Sequence, residues 1–237
     1  MSKLYVVGTP IGNLEDITFR ALRILKEVDY IACEDTRVTK KLLEHYQILN
    51  NKKLFTYNNH TESHSAKGMI RFLEEGKDVA LVSDAGMPVV SDPGFELIQM
   101  ARINNFEIEI IPGVNAAITA FVGSNFSSTF AFNGFFKDKT QQRINELEKL
   151  EQGTYIYYAS PHKLEKTLDD ITHVFKGNEK ICLAKELTKM HENWFFGNAE
   201  DVKNQVLSSN SLKGEFTLVL HIPKVKKQKV NKYKKDF

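Results

Sequence analysis

The sequence predicts an α/β fold made of two α/β domains, the first on a mainly parallel, doubly wound sheet and the second on a mixed sheet. Three observations carry that expectation. Between Leu4 and about residue 124, five short apolar runs each end in turn residues and are each followed by a helical stretch. That alternation of strand and helix winds a parallel sheet. The polar stretch Gly123-Ser124-Asn125-Phe126-Ser127-Ser128 then interrupts the pattern. Beyond it the late apolar runs come close together, as suits antiparallel neighbours on hairpin-length connections. The expected division is 1–124, 125–223 and a lysine-rich tail over 224–237, and 237 residues suffice for two modest domains.

Leu4–Val7 is the first strand, closed by Gly8-Thr9-Pro10-Ile11-Gly12. That turn lacks the Gly-Lys-Ser/Thr of a phosphate loop and the three spaced glycines of a dinucleotide fingerprint. Pro10 also removes a backbone donor that a pyrophosphate would use, so a ligand here is not held by its phosphates. Ile17, Ala21, Leu22 and Leu25 share one face of a packing helix. Tyr30–Cys33 is the second strand and runs into Glu34-Asp35-Thr36-Arg37. Thr36 can cap the next helix with the acids near its positive end, or the cluster can be a site. Lys53–Tyr57 is the third strand. His60 and His64 follow it four apart, but no third ligand lies near, and a solvated loop is the better reading than a metal site. A helix over Ala66–Glu75 is ended by Gly76.

The fourth strand, Asp78–Val82, leads into the stretch around which the chain is organised, Ser83 to Gly94. An ordinary connection takes about 2–6 residues, and this one is longer. It has little side-chain bulk, Asp84 stands at its entrance, and ligands of open α/β sheets sit beyond the carboxyl ends of strands. Asp92-Pro93 reads as a capping carboxylate followed by a first-turn proline, starting a helix that runs to about Ile103. Glu107–Ile111 is the fifth strand and breaks at Pro112-Gly113 into a turn of small residues. In the second half, Thr129–Asn133, Thr154–Tyr158, Lys180–Lys185, Trp194–Phe196 and Glu215–His221 read as strands. Lys139–Leu150, a stretch capped by Ser160-Pro161 and reaching about His173, and Glu200–Leu207 read as helices.

Composition excludes more than it names. Hydrophobic content of 42% and charge of 26% are those of an ordinary soluble protein, and a net charge of +2 does not announce a nucleic-acid binder. The distribution says more, because Lys224 to Phe237 carries seven lysines against Asp236 alone. Cys33 and Cys182 lie inside apolar runs and read as buried free thiols of a reducing compartment. No run approaches the roughly 18 apolar residues of a membrane span, and Leu4–Val7 is too short for a signal core. The expected location is cytoplasmic, away from membranes.

Five stretches taken together resemble one family. They are Val7-Gly8-Thr9-Pro10-Ile11-Gly12-Asn13-Leu14; Glu34-Asp35-Thr36-Arg37; Ser83-Asp84-Ala85-Gly86-Met87-Pro88 with Ser91-Asp92-Pro93-Gly94; Ile111-Pro112-Gly113; and Ala184-Lys185-Glu186-Leu187-Thr188-Lys189. In order and spacing, from about Leu4 to Ile222, they are similar to the tetrapyrrole-methylase superfamily, the class III methyltransferases. Within it they resemble the bacterial enzymes that methylate a cytidine 2′-hydroxyl of 16S ribosomal RNA in the decoding region. The resemblance implies two domains with S-adenosyl-L-methionine in the cleft between them, usually a homodimer, and the small ribosomal subunit as partner. Carried over by matching motif, the cofactor would be lined by Pro10, by the loop Asp84, Ala85, Gly86, Met87, Pro88 and Val89, and by Asn115 and Ala116. Phe135, Phe136, the strand end Lys185-Glu186-Leu187, and Gly214, Glu215 and Phe216 would complete it.

There are departures from the family pattern. Val114-Asn115 stands where Pro-Ser is common, and Lys185 where Arg is common. Lys185 keeps the charge but loses the planar fork. Many relatives carry a helical C-terminal extension where this chain has the lysine tail, which can neutralise RNA phosphates or merely solubilise the protein.

Transfer from a sulfonium to a ribose hydroxyl is an in-line displacement, with oxygen and methyl carbon held roughly 3 Å apart. The hydroxyl needs an acceptor for its proton. Glu34, Asp35 or Glu186 is the expected acceptor and Arg37 or Lys185 the phosphate-steering cation. The same acids and cations can instead be paired structurally. A corrin- or porphyrin-type small-molecule methylase on the same scaffold is the alternative, though it would want a larger apolar cleft. A non-catalytic ribosome-binding protein is a third reading, against which the intact Asp84-Ala85-Gly86 loop argues.

Overall fold

A computed structural model describes residues 2–58, 62–210 and 212–224. His60 and the tail beyond Lys224 lie outside them. Five strands, β1 (Lys3–Val7), β2 (Tyr30–Cys33), β3 (Lys53–Thr56), β4 (Val79–Val82) and β5 (Glu107–Ile111), form one sheet in the order β3-β2-β4-β1-β5. Every neighbouring pair is parallel. Helices α1 (Phe19–Glu27) and α2 (Thr36–His45) pack on one face, and α3 (Glu62–Glu74) and α4 (Phe95–Ile103) on the other. β4 is accordingly apolar and buried at all its positions, as a strand covered on both faces must be. The chain leaves β1 for β2 and β3, then returns through β4 to β5, so the direction of winding reverses between β4 and β1. At such a switch point the loops that follow the two strands part and leave a crevice.

The second sheet comprises β6 (Ala131–Phe135), β7 (Gly153–Ala159), β8 (Lys180–Lys185), β9 (Asn193–Gly197) and β10 (Phe216–Ile222), in the order β6-β7-β10-β8-β9. β6 and β7 are parallel and the remaining pairs antiparallel, the mixed sheet expected from sequence. Helices α6 (Thr140–Leu147), α7 (Leu164–Phe175) and α8 (Ala199–Ser208) cover one face with Leu147, Leu168, Ile171 and Val202. The other face is covered by α5 (Ala116–Ser124), which follows β5 but packs Ala117 and Ala120 against Ile156, Cys182, Ala184 and Val219. Small residues let this helix lie close: a Cβ on Gly123 would stand 2.3 Å from the Trp194 ring. Because α5 belongs by sequence to the first sheet and by packing to the second, it ties the two together.

Several helix starts differ from expectation. Asp35, not Thr36, caps α2, accepting a hydrogen bond from the Arg37 amide at 2.8 Å. α4 begins at Phe95 rather than Pro93, because Ser91 and Gly94 hold positive φ (70° and 138°), which no helix accommodates. Asp92 therefore caps nothing. The job falls to Glu62, whose Oε1 accepts from the amides of Gly94 (2.9 Å) and Glu96 (3.1 Å) across the sheet face. α7 starts at Leu164 without a side-chain cap, leaving Ser160 and Pro161 outside it. β6 lies two residues later than predicted, and α6 ends at Leu147. Both cysteines are buried free thiols, one in each sheet. Among the described residues no helix is long and apolar enough to cross a membrane.

Candidate active site

The crevice is built where the loops after β1 and β4 meet. Thr9 and Gly86 exchange backbone hydrogen bonds (2.9 and 3.1 Å), and the Thr9 hydroxyl donates to the Ser83 carbonyl at 3.1 Å. Two glycines make that meeting possible. A Cβ on Gly8 would stand 2.6 Å from the Met87 sulfur and 2.7 Å from the Gly113 nitrogen, so β1 and β5 end in direct backbone contact. The β4–α4 loop then turns sharply: Val89 and Ser91 both hold positive φ (75° and 70°), an outlier for a β-branched residue. Pro88 is thereby buried and Val89 turned outward, while Val90, Ser91 and Asp92 line the crevice.

Above this loop the second sheet supplies the opposite wall by its period of two. Tyr158 of β7, Thr217 of β10 and Ala184 of β8 are cross-strand neighbours in register, on the α5 face at the strand ends beyond the helix. A register shift in β6 between Phe132 and Phe135, with Gly134 at φ 69°, brings both of those rings against Tyr158, and the pleat then turns Phe136 to the other face. Phe135 enters the crevice, whereas Phe136 stacks on Tyr157 at 4.0 Å on the helical side. The result is an inner cavity of about 370 Å³ closed further by Ile11, Ala85, Gly86, Met87, Asn115, Ala116, Leu187 and Gly214–Phe216. Among the described residues its only charged lining side chains are Asp92 and Glu215. Asn115 also caps α5, accepting from the Ala117 and Ile118 amides (2.9 and 3.2 Å).

A second, outer cavity of about 520 Å³ adjoins it, lined by Thr9, Pro10, Ser83, Asp84, Lys41 and Lys189 among others. Ile11, Ala85 and Glu215 line both cavities and form the threshold between them. Pro10 and Asp84, expected with the cofactor, thus stand on the outer side. Pro88, Val89, Phe136, Lys185 and Glu186 line neither cavity, nor do Glu34, Asp35 and Arg37.

The acids near the crevice divide by their partners. Asp35 is held down to about 2 by the Arg37 guanidinium, which closes on both its oxygens (2.6 Å at the shortest), while the Arg37 side chain remains 86% exposed. For Glu186, burial pushes the carboxyl up, but the Glu215 amide (2.8 Å) and Lys189 (3.0 Å) outweigh it and leave it lowered. Both are occupied structurally. Glu34, Asp84 and Asp92 behave in the opposite way. Burial raises each of them, with repulsion from a neighbouring carboxylate added, and Asp92 reaches about 6. Asp84 accepts from the Asp35 amide at 3.0 Å, which fixes its carboxylate at the outer cavity. Sequence reasoning did not single out Asp92, Tyr158, Ser160, Pro161, Lys41 or Lys189 as site residues. The first four sit at strand or loop ends whose side chains have other obvious uses. Lys189 closes the Ala184–Lys189 stretch, where nothing in the local sequence distinguishes it from a solvated lysine.

Two α/β layers around a crevice at a switch point define a two-lobed α/β protein with its ligand cleft between the lobes. Residues 3–203 match the Tetrapyrrole (Corrin/Porphyrin) Methylases, and the chain belongs to that family. It is 53% identical over 223 residues to a protein of Mycoplasmopsis pulmonis named Ribosomal RNA small subunit methyltransferase I, covering 94% of this chain and 99% of that one. Among solved structures it is similar to a uroporphyrin-III-C-methyltransferase of Thermus thermophilus, with a TM-score of 0.67 at 23% identity over 93% of this chain and 94% of that one. A uroporphyrin-III C-methyltransferase of the same organism, complexed with S-adenosyl homocysteine, has a TM-score of 0.63 at 15% identity over 93% and 97% of the two chains. These likenesses bear on the fold.

Proposed function

We propose that this chain transfers a methyl group from S-adenosyl-L-methionine to the 2′-hydroxyl of a cytidine in small-subunit ribosomal RNA, as a cytoplasmic homodimer. One observation carries the reading: two cavities of different character share a threshold at Ile11, Ala85 and Glu215. Among the described residues no cation lines the inner one, which suits a cofactor without phosphates. The outer one presents Lys41 and Lys189 beside Asp84, which suits a nucleotide with its flanking phosphates. The name of the Mycoplasmopsis pulmonis relative, at 53% identity, supports the same substrate.

When bound, S-adenosyl-L-methionine supplies an electrophilic methyl group on sulfur. Tyr158, Thr217, Ala184, Phe135 and Leu187 exclude water from it. Lys41 and Lys189 hold phosphates so that the ribose reaches the threshold. Asp84 takes the 2′-proton, in place of Asp35 and Glu186, whose carboxylates are engaged elsewhere. Burial, with repulsion from Asp35 added, keeps the Asp84 carboxylate basic. For the dimer, Ile118 and Val122 stand one turn apart on the exposed side of α5, and Phe130, its ring 4.5 Å from that of Phe121, adds to the same region.

The test is the acceptor. Purified protein with methyl-labelled cofactor is offered unmodified small ribosomal subunits and, separately, a reduced porphyrin. Label in RNA alone is the expected result; label in the porphyrin alone would replace this reading with the small-molecule one.

A further inference from the structure

Asp92 does not cap the helix it precedes, and among the described residues the one polar side chain that holds it is the Ser83 hydroxyl. The helix it precedes is capped by Gly94 without a side-chain bond, and by Glu62 reaching over from α3. Yet its carboxylate lines the inner cavity, half-buried, opposite Tyr158. Among the described residues no lysine, arginine or histidine lines that cavity, and its other carboxylate, Glu215, is exposed at the threshold. A desolvated acid facing an enclosed space without a counter-charge favours a cationic ligand group there.

We propose that Asp92 is a specificity residue that pairs with a cationic group of the cofactor, its ammonium or its sulfonium, and so recognises the cofactor by charge. The inference rests on the reading that S-adenosyl-L-methionine occupies the inner cavity. Asp92 is faced by Glu34 from the end of β2, by Asp84 and Ser83 from the end of β4, and by Tyr158 from β7. Burial, then the charge on Glu34 and Asp84, raises it to about 6 against the pull of the Ser83 hydroxyl. It is therefore ionised at neutral pH and lost as a counter-charge as pH falls below about 6.

The experiment compares wild type with Asp92→Asn by calorimetry, using three probes. S-adenosyl-L-methionine carries both cations, S-adenosylhomocysteine the ammonium only, and 5′-methylthioadenosine neither. The variant is expected to lose on the order of 10- to 100-fold in affinity for S-adenosyl-L-methionine while keeping 5′-methylthioadenosine unchanged, which also shows that the cavity is intact. An equal loss for S-adenosylhomocysteine assigns the ammonium, and no loss for it assigns the sulfonium. In wild type the affinity for S-adenosyl-L-methionine should fall about tenfold per pH unit below about 6, with no such fall in Asp92→Asn. Unchanged affinity in the variant, or a parallel loss for 5′-methylthioadenosine, overturns the proposal. If wild type binds none of the three, the cofactor reading itself falls with it.

Discussion

At the scale of single residues, the account turns on which acids are free to act. Asp35 and Glu186 have the residue type for proton transfer but are tied, one to Arg37 and to the start of α2, the other to Lys189 and the Glu215 amide. Asp84 stands at the outer cavity. Asp84→Asn is therefore expected to lower single-turnover methyl transfer by about 10²–10⁴-fold with cofactor affinity retained, as read by rapid quench and calorimetry. Loss of cofactor affinity instead would place Asp84 with the inner cavity. The sequence marks the loop from Ser83 to Gly94 as a place for a ligand, but not which of its side chains face inward. That is set by positive φ at Val89 and Ser91, conformations those residue types do not advertise.

At the scale of elements, the strands were legible because each is a short apolar run bounded by turn residues, and all five of the first sheet coincide with their expected positions to within a residue or two. Helix starts were less so. Asp92-Pro93 has the local chemistry of a cap, but Glu62, distant in sequence, competes and wins. Such a tertiary cap leaves no local signal. The same holds for the ion pair that joins α6 to α7. Arg143 is buried, donates through Nε to Asp170 Oδ2 at 2.7 Å and through Nη1 to the Lys137 carbonyl at 2.8 Å. Arg143→Ala leaves Asp170 buried without its partner and is expected to destabilise the protein by about 3–5 kcal/mol, read as a drop in denaturant midpoint at unchanged slope. Gly8→Ala forces apart the loops after β1 and β5. It is expected to weaken cofactor binding more than it lowers the melting temperature, by calorimetry and thermal scan.

At the scale of the whole molecule, the outer cavity is bounded by both lobes, and Lys189 is the cation that the second lobe supplies to it. It is held between Glu186 and Glu215 at 3.0 Å each, on a loop strained at Glu186 and Thr188 (φ 50° and 65°). The Thr188 hydroxyl accepts from the Asn13 amide at 3.0 Å, so this loop spans the crevice. Lys189→Gln is expected to weaken RNA binding and reduce the slope of log affinity against log salt by about 1, with cofactor affinity kept. An unchanged slope would remove Lys189 from the phosphate path. The proposed dimer contact on α5 predicts that Val122→Asp is monomeric in light scattering where wild type is dimeric, and a monomeric wild type would remove that contact.

The most direct measurement of the central claim, a cofactor cavity opening onto a ribose site, is the position of the transferred methyl group. Unmodified small subunits are labelled by wild type and by Asp84→Asn, and the RNA is hydrolysed in alkali. A single alkali-resistant dinucleotide carrying the label on a cytidine ribose, strongly reduced with Asp84→Asn, is the predicted result. Label on a base, or label in RNA that is indifferent to Asp84, would contradict the account.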